Sequence, residues 1–144
     1  MLQIREHAYL RKWCTKMNEN EMKFGRFVEQ KRKEQGITLR GLAGELELAP
    51  SYMSDMEKGR RYPPDRGKLE EIARILKLPK EDKDLMYDLA ALAKENTVSP
   101  DLPEYIMEKD IVRVALRKAR DKNVSDEDWQ RVIEIFDNED GEDN

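Results

Sequence analysis

Ser51, Tyr52 and Asp55 put three polar side chains on a short segment whose Met53 and Met56 are apolar. On a helix that spacing turns the methionines one way and the polar groups the other. A serine hydroxyl donates or accepts, and an aspartate accepts from an amino group such as cytosine N4. Tyrosine reaches a phosphate or packs on a thymine methyl. Pro50 leads the segment. Lys58, Arg60, Arg61 and Arg66 follow it closely, and such cations grip phosphates without specifying sequence. Thr38 and Arg40 precede it, at a place where backbone N–H groups opening a helix bind a further phosphate. The chemistry these types share is recognition of a polyanion, not the making or breaking of bonds.

The elements that must hold these groups follow from apolar spacing. A first helix over residues 22–35 turns Phe24, Phe27 and Val28 inward, and Gly36 stops it. Thr38 is a natural N-cap for a second helix, residues 39–46, with Leu42, Ala43 and Leu46 on its apolar face. Residues 47–49 make the turn. Pro50 opens a third helix, residues 50–58, where its missing N–H costs nothing, and Gly59 closes it. Two short helices joined by a tight turn form a helix-turn-helix, whose second helix enters the DNA major groove. A fourth helix places Leu69, Ile72, Ala73 and Leu76 on one face. A fifth, residues 81–94, aligns Leu85, Leu89 and Leu92. No strand signal or internal repeat appears.

Residues 24–78 resemble the Xre/Cro phage-repressor family. The resemblance is carried by I-T-L-R-G-L-A, P-S-Y-M-S-D-M-E-K-G, R-R-Y-P-P and L-E-E-I-A-R-I-L-K-L. It implies an all-α fold: a five-helix lambda-repressor-like DNA-binding domain, here followed by a small helical C-terminal region. It also implies a homodimer on a pseudo-palindromic operator, and transcriptional repression or autoregulation. Leu39 stands where many members of that family carry a phosphate-binding Gln, so Thr38 or Arg40 must substitute. Arg32 and Glu57 match a family pair that bridges the first and third helices, and a structural salt bridge is expected of them.

Beyond the fifth helix, the two prolines of residues 97–103 mark a hinge between a domain at 22–96 and a helical region at 104–136, for dimerisation or partner binding. In that region Ile111, Val112, Ala115, Leu116 and Ala119 form one stripe, and Asn123 breaks it. Ser125 and Asp128 resemble a capping box, ahead of a face of Trp129, Val132, Ile133 and Phe136. Residues 1–21 read as a weakly ordered arm and residues 137–144 as an acidic tail.

Charge separates these parts. Over residues 1–80 there are 18 Lys/Arg against 12 Asp/Glu; over residues 81–144 there are 9 against 19. The chain's net charge of −4 therefore conceals a basic part suited to phosphate and an acidic part that is not. Cys14 is the only cysteine and His7 the only histidine. They leave no intramolecular disulfide, no cysteine metal site, no histidine-based triad and no H-E-x-x-H motif. No apolar run approaches the ~20 residues of a membrane span, and a cytoplasmic location is expected.

The sequence thus points to a non-enzymatic, sequence-specific regulator that binds double-stranded DNA as a homodimer, without metal or cofactor. Base reading falls to Pro50, Ser51, Tyr52 and Asp55. Phosphate binding falls to Thr38, Arg40, Lys58, Arg60, Arg61 and Arg66. Two other readings share these features. One is an antitoxin that represses its own operon and neutralises a toxin through its acidic C-terminal region. The other is a nucleic-acid-mimicking inhibitor, such as an anti-CRISPR protein with a DNA-binding domain.

Overall fold

The computed structural model describes residues 23–94 and 97–139. Every regular element among them is helical: α1 (Phe24–Glu34), α2 (Leu39–Glu45), α3 (Pro50–Glu57), α4 (Arg66–Ile75), α5 (Lys80–Leu92), α6 (Pro103–Glu108), α7 (Asp110–Asp121) and α8 (Asp126–Glu139). None of these helices is long and apolar enough to cross a membrane. The described residues fall into two units, one ending at Pro103 and the other beginning at Glu104. The arm expected at residues 1–21 lies outside the described residues, as does most of the acidic tail.

The first unit is built around a closed apolar core. Phe27, Leu42, Met53, Leu69, Ile72 and Met86, from α1 to α5 in turn, have no more than a trace of exposure. Each helix starts and stops on local chemistry. Thr38 Oγ1 accepts from Gly41 N at 3.0 Å, and Asp65 Oδ1 accepts from Lys68 N at 3.0 Å, which caps α2 and α4. At the other ends one stop recurs. The N–H two residues past the C-cap returns to the carbonyl five residues earlier: Ile37 to Arg32, Leu48 to Ala43, Arg60 to Asp55 and Leu78 to Ala73, at 2.8–3.1 Å. That stop requires a left-handed residue. Gly36 and Gly59 supply it after α1 and α3, whereas Glu47 (φ 56°) and Lys77 (φ 53°) supply it after α2 and α4.

One detail of α5 differs from the sequence expectation. Leu85 and Leu89 point inward with Met86, Tyr87 and Ala90, but Leu92 is 81 % exposed. It shares their face, yet the last turn of α5 carries it past the end of the core. Burial also pushes the Tyr87 hydroxyl above its usual pKa. The segment at 97–103 is tied back to α5, because Thr97 Oγ1 lies 2.5 Å from the Ala91 carbonyl and 2.8 Å from that of Lys94. Ser99 hydrogen-bonds Asp88 as well.

The second unit is also helical but is packed differently. The sequence did not signal α6, a six-residue helix without a repeating apolar stripe. Arg113 of α7 donates from Nη1 to the carbonyls of Ile106 (3.1 Å) and Met107 (2.6 Å), which fixes α7 against the end of α6. Asn123 (φ 51°) turns the chain, and Asp128 N donates to Ser125 Oγ at 3.2 Å to cap α8. No apolar side chain of the described part of this unit is buried; the single buried residue is Gln130. The expected face of α8 is turned partly outward. Val132 and Ile133 are half-buried, while Trp129 and Phe136 are exposed, because the helix directs Gln130 inward instead.

Candidate nucleic-acid interface

Helix α3 is held from behind and at its C-terminal end. Met53 and Met56 are buried against the core. Glu57 accepts three hydrogen bonds from Arg32 of α1, two from Nε at 3.0 and 3.2 Å and one from Nη2 at 2.8 Å. Arg32 also donates from Nη1 to the Ile37 carbonyl at 2.9 Å. One guanidinium therefore ties α1, the α1–α2 turn and the end of α3 together. Both side chains are more than nine-tenths buried, and Glu57 drives the guanidinium pKa further up from its already high value.

Gly25 brings the start of α1 against the same end of α3. A methyl group there would collide with the carbonyls of Met56 and Glu57. Lys68 of α4 completes the support, donating from Nζ to the Leu46 carbonyl at 2.7 Å, the C-cap of α2. Neither role had a signal in spacing: a glycine near a helix start and a lysine on an amphipathic helix both read as ordinary.

The outer side of α3 carries the groups with recognition chemistry. Pro50 and Ser51 are exposed, and Tyr52, Ser54 and Asp55 are half-buried. Ser54, on the flank of that face, was not among the residues singled out from the sequence. After the stop at Gly59 the chain turns back on α3. The Arg61 guanidinium carbon lies 4.8 Å from the Tyr52 ring centre, a cation–π distance. Arg61 Nε is 3.7 Å and Arg60 Nη1 3.9 Å from the Asp55 carboxylate. Tyr52, Asp55, Arg60 and Arg61 thus form one cluster.

Lys58 is exposed at the C-cap of α3, and Thr38 and Arg40 are exposed at the start of α2. Arg66 sits at the start of α4, with Nε 3.3 Å from Glu70. An open cleft of about 910 Å³ adjoins the cluster, with Phe24, Met56 and Leu92 on its apolar side and Lys23, Arg60 and Arg61 among its cations.

This arrangement, a short helix supported from behind and polar in front with a tight turn before it, is that of a DNA-inserting module. Residues 23–86 match the family model of a helix-turn-helix domain. The match runs from the residue before α1 to the middle of α5 and leaves the second unit outside it. No curated protein and no solved structure matched the chain. The chain is therefore all-α in its described parts, with a helix-turn-helix domain formed by the first unit. Within that domain α2 and α3 are the paired helices, and the Glu47 stop is the turn between them.

Proposed function

We propose that the chain is a sequence-specific transcriptional regulator, a repressor or autoregulator of the Xre/Cro kind, that reads the DNA major groove with α3. The observation that carries this is the division of α3: Met53, Met56 and Glu57 are fixed to the domain, while Ser51, Tyr52 and Asp55 lie on the outer side beside a cationic loop. In this reading Pro50, Ser51, Tyr52 and Asp55 meet base edges. Thr38, Arg40, Lys58, Arg60, Arg61 and Arg66 meet phosphates, with Arg66 exchanging Glu70 for phosphate. Two copies of the chain sit on two half-sites. Binding alone accomplishes this function, and no catalytic group is required.

Asp55 has a second role here. Its carboxylate keeps Arg60 and Arg61 beside α3 at 3.7–3.9 Å before DNA arrives, and retains lone pairs with which to accept from a cytosine amino group.

Footprinting on the DNA upstream of the gene, over a salt series, tests the proposal. The expected result is protected half-sites about 10 base pairs apart, or a multiple of that spacing, with affinity falling steeply as salt rises. Ser51→Ala alters the sequence preferred, and Arg61→Ala weakens binding to all sequences about equally. An unprotected upstream region together with salt-insensitive binding would refute the reading.

A further inference from the structure

The cleft beside α3 has a lining that DNA contact does not require. It opens within the first unit, between the start of α1, the end of α3, the loop at residues 60–63 and the last turns of α5. Its volume of about 910 Å³ lies in the range of small-molecule sites, ~300–1,000 Å³. One part of the lining is apolar: Met56, Leu89 and Leu92, with the rings of Phe24, Tyr52 and Tyr62. The exposed Leu92, past the end of the core, belongs to this wall. The charged part is Lys23, Arg60 and Arg61, and no aspartate or glutamate among the described residues joins them.

Both tyrosines carry a cation against the ring. The Arg61 guanidinium carbon lies 4.8 Å from the Tyr52 ring centre, and Lys94 Nζ lies 5.9 Å from that of Tyr62. Asp55 is 3.7 Å from Arg61 and 3.9 Å from Arg60, too far for hydrogen bonds. It therefore orients the two guanidinium groups without using up their forked N–H donors, which suit a carboxylate.

We propose that the cleft binds a small aromatic carboxylate, with its ring against Leu92 and the tyrosines and its carboxylate on Arg60 and Arg61. The three rings of the lining favour a flat aromatic body over an aliphatic one. The cations, with no carboxylate among them, select an anion. Under the function proposed above, on which this consequence rests, the same two arginines meet DNA phosphates. Ligand and DNA then compete for them, and each weakens the binding of the other.

An NMR titration of the full-length chain with 2-naphthoate, without DNA, tests the site. The methyl signals of Met56, Leu89 and Leu92 should shift with a Kd of about 1 mM or tighter, while that of Ile111 in the second unit stays in place. Cyclohexanecarboxylate, which keeps the charge and lacks the aromatic ring, should bind at least about fivefold more weakly. Leu92→Asn should weaken 2-naphthoate binding about fivefold, and Arg60→Gln about tenfold. Both side chains are exposed, so both variants should fold, which helix content verifies. A second titration, with upstream DNA at fixed ionic strength, reads the competition. At five times its Kd, 2-naphthoate should weaken wild-type DNA binding about sixfold, and the same concentration should weaken that of Leu92→Asn only about twofold.

Shifts that are absent at about five times a 1 mM Kd, or as large at Ile111 as at Leu92, overturn the proposal. Absent shifts would leave the cleft to residues 1–22, which join the domain at Lys23. Equal binding of cyclohexanecarboxylate overturns the aromatic assignment. Wild-type DNA binding that is indifferent to 2-naphthoate overturns the sharing of the arginines. Because the first titration contains no DNA, its failure remains distinct from a failed footprint, and a chain that binds 2-naphthoate but no upstream DNA refutes the regulator and not the site.

Discussion

The two units of this chain are made of the same material and reach different ends. Both are helical, both have amphipathic stripes at helical spacing, and both use side-chain caps and left-handed stops. In the first, side chains from five helices converge and Phe27, Leu42 and Met53 lose all contact with solvent. In the second, the strongest stripe of all, on α7, buries none of its residues. The contrast shows that an amphipathic pattern specifies a helix and the side it will bury, but not what buries it. A core needs several faces converging on one point. The described second unit has two long helices and one of six residues, too few to enclose an interior.

The comparison can be broken or sharpened by substitution, and the largest effect is expected at Arg32. Arg32→Ala leaves the Glu57 carboxylate buried without its partner and should cost the helix-turn-helix domain about 3–5 kcal/mol. Replacing both together, Arg32→Met with Glu57→Leu, should cost much less. Urea unfolding measures both, and equal losses would show that the ion pair is not what binds α1 to α3. Gly25→Ala comes next, at about 1–3 kcal/mol, because a methyl group forces the backbones of α1 and α3 apart. A neutral result there would show that α1 and the end of α3 are not in close contact at Gly25.

Glu47→Gly works in the opposite direction. It relieves a left-handed cost of about 1–2 kcal/mol and adds a glycine entropy cost of about 0.5–1, for a net gain of up to about 1.5 kcal/mol in melting experiments. The smallest effect is expected in the second unit. In dilute, monomeric protein, Ile111→Ser or Phe136→Ser should change the stability of the helix-turn-helix domain by less than about 0.5 kcal/mol. A loss of several kcal/mol would show that these residues belong to a core after all.

Much of the first unit was legible in the sequence because its signals are local. Thr38 before an apolar stripe, Pro50 at a first turn, and Gly36 and Gly59 at the stops each act within four residues of themselves. Signals that depend on tertiary approach were not legible. Gly25 matters because of two carbonyls more than thirty positions away in sequence, and Lys68 because of a helix end 22 positions away. The pairing of Asp55 with Arg60 and Arg61 depends on the loop folding back along α3, which composition does not report. On α8, spacing identified the apolar face correctly as a face, but the helix turned Gln130 inward instead. Which side of a helix is covered depends on its neighbours, and they are not written into the helix itself.

The attachment of α3 bears on how such a protein changes its target. Everything that secures that helix lies on its inner side or at its C-terminal end, in Met53, Met56 and Glu57. Ser51, by contrast, is exposed at its leading end. Under the proposed reading, the positions that select a DNA sequence are nearly uncoupled from those that keep the domain folded. A lineage carrying this scaffold could therefore drift from one operator to another by single exchanges at the exposed Pro50 or Ser51, passing only through folded intermediates. In the laboratory, a library randomised at those two positions should yield mostly stable proteins that differ in the DNA they prefer.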